Sequence, residues 1–230
     1  MSVRKGPHAQ AEEERRRAAE AAALRANLRK RKLQARGREA LADEAAIGDV
    51  LGFWFGAEPG AFRQAWFERN DAFDAACRDR FSATCADAAA GRLDRWGATP
   101  EGALALVLLL DQFPRNIHRG TPSAFATDAK ALDLARRMVG RGFDRTLEPV
   151  ERFFVYLPFE HAEDLAVQDE AVRLIEALPD LPWHDNVVAY ARAHRDVIAR
   201  FGRFPHRNAV LGRGTTAAEA AYLAEPGAGF

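Results

Sequence analysis

From Asp43 onward, apolar residues recur at steps of three and four, and that rhythm predicts a succession of helices. "DVLGFWFG" (49–56) reads as the apolar end of a first helix, closed by Gly56. "AFRQAWFERN" (61–70) reads as a second. Residues 71–91 read as a third, with Phe73, Cys77, Phe81 and Cys85 at steps of four and Gly91 as its stop. Thr99 and Pro100 supply an N-cap and a first-turn proline for a helix over 100–113. Its "ALALVLLLDQF" is apolar nearly all round, which marks the central, buried helix.

Helices follow over 124–142, from Pro149 to a break or kink at Pro158, over 162–178 and over 185–202. Thr215 or Thr216, with Glu219 three residues beyond Thr216, supplies a capping box for a terminal helix ending near Glu225. No stretch alternates apolar and polar residues as a half-buried strand would. The expectation is an all-α domain over 43–230, with about nine helices stacked as antiparallel hairpins.

Residues 1–42 follow a different pattern. They are rich in Ala, Arg and Glu, and pairs such as Glu12 with Arg16 and Glu13 with Arg17 favour a helix. Leu24, Leu28 and Leu33 are too few to bury it deeply. The expectation is a basic arm, helical or disordered, capable of a weak contact with nucleic acid or the ribosome.

Composition adds bounds. The formal net charge is zero, with 33 basic and 33 acidic residues, so overall charge does not call for a nucleic-acid or membrane partner. Within that balance the first forty residues carry roughly seven surplus cations. The longest apolar run, "ALALVLLL" (103–110), is far short of the ~20 residues that span a bilayer. With no apolar secretory core in the first forty residues, a cytoplasmic location is expected. Cys77 and Cys85 lie ~12 Å apart along one helix, too far for a disulfide, and read as small buried hydrophobes.

The candidate chemistry sits where helices meet prolines. "DQFPRNIHRGTP" (111–122) and "GRFPHRNAVLGRGT" (202–215) echo each other, each with Phe-Pro followed by an Arg-Asn pair. Pro114 and Pro205 should force Phe113 and Phe204 into extended backbone, so that each phenylalanine plugs the core. Asp111, Gln112, Arg115 and Asn116 would then end a buried helix, and Arg203, His206, Arg207 and Asn208 would follow another. Between them "YLPFEHAED" (156–164) contributes Tyr156, Glu160, His161 and Glu163, while His194 lies on the helix before the second echo.

Polar groups at the end of an apolar helix need partners, which a carboxylate or a bound anion can supply. His161, His194 and His206, with Glu160 and Glu163 close in sequence, raise a three-His or two-His-carboxylate metal site, but HExxH and HxH are lacking, and neither metal nor cofactor is expected. There is no nucleophile elbow, Walker loop or dinucleotide fingerprint. Acid–base work by His161 with Glu163, or by His206, remains open.

"VLGFWFG", "LDQFPRNIHRGTPSAFATDAKAL", "ERFFVYLPFEHAED" and "HRDVIARFGRFPHRNAVLGR" together resemble the bacterial domain-of-unknown-function family numbered 924. The resemblance covers roughly residues 47–225 and implies an all-helical, tetratricopeptide-like fold. It matches Asp111 to Asn116, His161, Glu163, His194 and Gly202 to Asn208. Ala162 departs from it, standing where that family favours serine, so a possible cap or site hydroxyl is missing.

Three functions compete. In the first, Arg115, Arg203 and Arg207 hold a small anion or a peptide carboxylate, oriented by Asn116 and Asn208. In the second, an enzyme moves a proton on an anionic substrate with His161 or His206 and Glu163. In the third, the polar groups satisfy one another and no ligand exists. The first two require the proline corners to converge on one pocket.

Overall fold

Helices make up all the regular structure among the residues described by the computed structural model, residues 7–58 and 60–229. The chain divides into two units, Met1–Ala46 and Ile47–Phe230. A first helix, α1 (Pro7–Phe55), fills the described part of the first unit and contributes its last turns to the second. Leu24, Leu28 and Leu33 stand exposed on it. The side chains of Glu12, Glu13, Arg16 and Arg17 lie outside the described residues.

The second unit continues with α2 (Asp71–Ala89), α3 (Pro100–Val107), a π-helical turn (Leu108–Gln112), α4 (Phe113–Ile117) and α5 (Asp128–Arg141). It ends with α6 (Pro149–Glu160), α7 (Leu165–Glu176), α8 (His184–Phe201) and α9 (Ala217–Leu223). Consecutive helices α5 to α8 pack on one another, as short connections between helices dictate. No strand occurs among the described residues. The all-α expectation, with about nine helices, matches.

The core is built around the helix whose sequence is apolar all round. Every residue from Gly102 to Pro114 is buried. Trp54, at the end of α1, packs its ring 5.0 Å from Phe113 and 5.6 Å from Phe154 of α6. Trp54, Phe113 and Phe154 are fully enclosed. Buried aromatics of this size each remove some 150–250 Å² from water, so this trio anchors the unit. Cys77 and Cys85 are buried free thiols.

Three local expectations require correction. Residues 61–70 do not form an α-helix. Only a 3₁₀ turn, Gln64–Trp66, forms there, because the segment serves to close α1. Arg63 donates to the carbonyls of Trp54 (2.6 Å) and Phe53 (3.2 Å), and the Trp66 indole donates to Trp54 (2.9 Å). Neighbouring Phe67 is exposed rather than core.

Of the break or kink expected at Pro158, the break does not occur: α6 runs through it to Glu160. Phe113 is helical rather than extended (φ −56°, ψ −40°), with Pro114 in the first turn of α4. Phe204 is extended (φ −88°, ψ 107°), as its proline requires. Both phenylalanines are fully buried.

Candidate functional site

The "DQFPRN" motif is first a solution to a backbone problem. The π turn closes with the Phe113 N–H on the Leu108 carbonyl, and Pro114 has no N–H to donate. Carbonyls in the buried turn therefore need other donors. The Thr127 hydroxyl donates to Leu110 (2.5 Å), the Arg115 guanidinium to Asp111, and the Asn116 amide to Gln112 (3.2 Å). The wide turn also carries Asp111, fully enclosed, towards the end of α6.

There Asp111 Oδ1 meets His161 Nδ1 at 2.8 Å. Its Oδ2 accepts from the Gln112 amide at 2.6 Å, and Arg115 lies 3.3 Å from Oδ1. Arg115 then forks onto Asp128 with two 3.1 Å hydrogen bonds. Asp128 Oδ2, which accepts from Arg115, also lies 3.6 Å from Arg207. An alternating chain results: His161, Asp111, Arg115, Asp128, Arg207. Both guanidiniums lie over the Phe125 ring, Arg115 at 5.6 Å and Arg207 at 4.8 Å from its centre. Arg207 also stacks on Phe204 at 4.4 Å.

Three members of this chain, His161, Asp128 and Arg207, line a cleft of ≈440 Å³. His161, Asp128, Arg207 and Glu163 supply its polar lining, and Phe125, Leu132 and Leu211 part of its apolar wall. That volume falls within the range typical of small-molecule sites. A second cavity, ≈120 Å³ between Lys130 and Phe143, is far smaller and shares none of these residues.

Burial and charge set the protonation states. Burial alone would favour neutral Asp111, but Arg115, together with the donors from His161 and Gln112, outweighs it and holds the carboxyl well below the usual range. His161 moves the other way: burial and the neighbouring Arg115 lower its pKa, so the imidazole is neutral at pH 7. An ionised Asp111 only accepts, so Nδ1 carries the proton and Nε2 keeps a lone pair. No hydrogen bond engages Nε2 among the described residues, and the His161 side chain, 13% exposed, belongs to the cleft lining. Burial raises Asp128 despite Arg115, and burial with Arg115 nearby brings Arg207 down to about 10.

Arg207 is the least satisfied cation here. It is 6% exposed, and of its five N–H donors a single one has an acceptor within hydrogen-bond reach, the His161 carbonyl at 3.1 Å. Its Nε is buried without a partner. Part of its role is structural, since a cation at the C-terminus of α6 complements the helix dipole.

The remaining candidates divide among other networks. Arg203 forks onto Glu219 (2.6 and 2.9 Å) and reaches the Gly214 carbonyl (2.8 Å), while Asn208 faces Thr215 and Glu219, each at 3.4 Å. Glu219 also completes the capping box with Thr216 that starts α9. Arg203 and Asn208 therefore hold the C-terminal corner together. Tyr156 donates to Asp144 at 2.7 Å. Asn116 accepts from Arg119, which forks onto Asp74.

Glu163 reaches the cleft wall but is held by Arg213 (2.6 and 3.0 Å) and the Phe204 N–H (2.8 Å). Burial works against its ionisation, yet Arg213 lowers its pKa, so it is a poor proton donor at neutral pH and makes no hydrogen bond with His161. His206 is pushed down to about 4 by burial and Arg207, and its ring lies 5.6 Å from Phe204.

His194 is not part of the cleft lining; its Nδ1 lies 2.9 Å from the Tyr190 carbonyl and 3.2 Å from Glu160. Burial lowers His194 to about 3, and burial with Asp111 raises Glu160 to about 8, so both are neutral near pH 7. Ala162 lines the cleft, and Asp164 is the N-cap of α7, accepting from Val167 at 3.1 Å, so the missing serine is not needed as a cap.

Sequence reasoning missed Asp128, Phe125 and Arg213. Asp128 reads as an ordinary acidic residue at a helix start, and nothing local shows that it bridges two arginines. Among the described residues no group of three or more His, Cys, Asp or Glu side chains is placed to hold a metal, and no helix is long and apolar enough to cross a membrane.

Comparison with known proteins gives a consistent picture. The model of the family described as "Bacterial protein of unknown function (DUF924)" matches residues 50–227, which takes in the cleft and leaves most of α1 outside. A solved structure of a protein of unknown function from Agrobacterium tumefaciens is 43% identical, with a TM-score of 0.72. The match covers 79% of this chain and 98% of that one. No curated protein matches. With its motifs in order, its helical fold and a family match over most of its length, the chain belongs to the bacterial DUF924 family.

Proposed function

We propose that the cleft binds a small organic anion, a free carboxylate on a metabolite or at a peptide end, with Arg207 as its principal partner. The observation that carries this reading is the unfilled hydrogen-bonding capacity of a buried guanidinium in the lining of a cleft. Leaving such donors unmet is costly, and a carboxylate accepts them in fork geometry. Arg115 supports the site indirectly by taking up Asp128. Arg203 and Asn208, engaged with Glu219, are not part of it.

A thermal-shift screen of carboxylates and phosphates on the wild type and on Arg207→Ala tests the proposal. Binding raises Tm by mass action, so the expected result is stabilising carboxylates whose effect disappears in the variant. A hit that stabilises both proteins equally would place the ligand elsewhere.

One geometry favours a second reading. Asp111 fixes the tautomer and orientation of His161, the arrangement by which a buried carboxylate prepares an imidazole as a general base. In that reading the base is His161 with Asp111 behind it, and Glu163 takes no part.

A further inference from the structure

We infer that the cleft selects carboxylates carrying a hydrogen-bond donor on the neighbouring carbon and an apolar side chain, that is, apolar α-hydroxy or α-amino acids. The inference rests on the anion-binding reading and adds ligand class. Two groups of the lining are complementary. Arg207 offers N–H donors, and its terminal nitrogen lies 3.1 Å from the backbone carbonyl of His161. The same His161, through its ring, offers an acceptor: Nδ1–H is committed to Asp111, which leaves the Nε2 lone pair unengaged on a partly exposed side chain of the cleft lining. A plain carboxylate satisfies the guanidinium and leaves Nε2 facing an apolar chain with no donor. A hydroxyl or ammonium beside the carboxylate satisfies both.

The rest of the lining agrees. Asp128 and Glu163 add acceptors, not donors, so the polar lining favours a ligand that brings a donor of its own. In the same lining Pro122, Phe125, Leu132 and Leu211 supply apolar surface suited to a branched aliphatic or aromatic side chain. The π turn that carries Asp111 is what orients the imidazole, and such turns recur at functional sites.

The test is calorimetric titration of the full-length protein at pH 7.5 with 4-methylpentanoate, 2-hydroxy-4-methylpentanoate and leucine. These share a carbon skeleton and differ in the donor. The hydroxy acid, leucine or both should bind about tenfold more tightly than the plain acid, since an acceptor left without its donor penalises the analogue lacking it. The separate arms show whether the donor is a hydroxyl or an ammonium. His161→Phe should erase the preference while keeping the plain acid bound, and Arg207→Ala should lose all three.

Equal affinity for the three ligands on the wild type overturns the inference and leaves carboxylate binding standing. Binding that survives Arg207→Ala, or no binding of any of the three, overturns the anion-binding reading with it. The wild-type ranking needs no variant, so a misfolded His161→Phe would not blur the result.

Discussion

Asp111 and His161 stand fifty residues apart in the chain, yet Oδ1 of one lies 2.8 Å from Nδ1 of the other. Two helix irregularities bring them together. The π turn re-aims Asp111, and α6 ends one residue before His161. Because Arg115 keeps Asp111 ionised, the pair fixes both the position and the tautomer of a ring nitrogen at the cleft.

Removing the carboxylate should therefore cost much more than one ordinary hydrogen bond. Asp111→Ala leaves the His161 N–H without its acceptor and Arg115 with Asp128 alone. Breaking a buried ionic arrangement on one side costs about 3–5 kcal/mol. Urea unfolding should show a loss of that order for the alanine variant. Asp111→Asn, which keeps shape and some hydrogen bonding, should lose less.

Glu160 should make stability depend on pH. Its folded pKa is raised to about 8 from an ordinary 4.5, so the native state holds a proton that the unfolded chain gives up. The stabilisation is complete below pH 4.5 and is lost as pH rises towards 8. Across that window Glu160→Gln should lose less stability than the wild type, by a few kcal/mol at most, roughly 5–10 °C in Tm at pH 8. Parallel melting curves for the two proteins from pH 5 to 8.5 would count against this assignment.

Gly102 should resist replacement despite its place in a helix. A β-carbon there would lie 2.3 Å from the Trp96 carbonyl oxygen and 2.9 Å from Thr99 Oγ1, the N-cap of α3. Alanine ordinarily improves a helix by about 1 kcal/mol over glycine. Here the clash with backbone should reverse the sign, with a net loss of about 1–3 kcal/mol by chemical denaturation.

The two arginine corners should separate in experiment. Arg203→Ala should loosen α9 and lower Tm, since its partner Glu219 holds the capping box, but leave carboxylate binding intact. Arg207→Ala should abolish binding. Measuring Tm and ligand affinity for both variants checks the separation, and a large affinity loss in Arg203→Ala would contradict it.

Fold class was legible because the signals were local. Thr99 with Pro100, Thr216 with Glu219, and the all-round apolar run before Asp111 each announce a helix by spacing or cap chemistry. The geometry of the candidate site was legible in part. Asp111, Arg115, His161 and Arg207 stood out as polar residues at the ends of apolar helices, and they do meet. Arg203 looked equivalent to Arg207 because both flank the same Phe-Pro. Their different roles depend on Glu219 and Asp128, long-range partners that no local pattern encodes.

Pro114 misled for a related reason. Proline usually ends a helix, but here the missing N–H falls beside a π turn whose carbonyls find side-chain donors, so the helix continues. The segment 61–70 misled through its aromatic spacing, which serves the capping of α1 rather than a helix of its own.

The most direct test of ligand capture by Arg207 is to observe its Nε–H resonance by ¹⁵N-labelled NMR while 4-methylpentanoate or its 2-hydroxy analogue is titrated into the wild-type protein. A saturable shift at Arg207, with Arg203 unmoved, is the predicted result. A silent Arg207 in the presence of a bound carboxylate, or a response at Arg203 instead, would contradict the account.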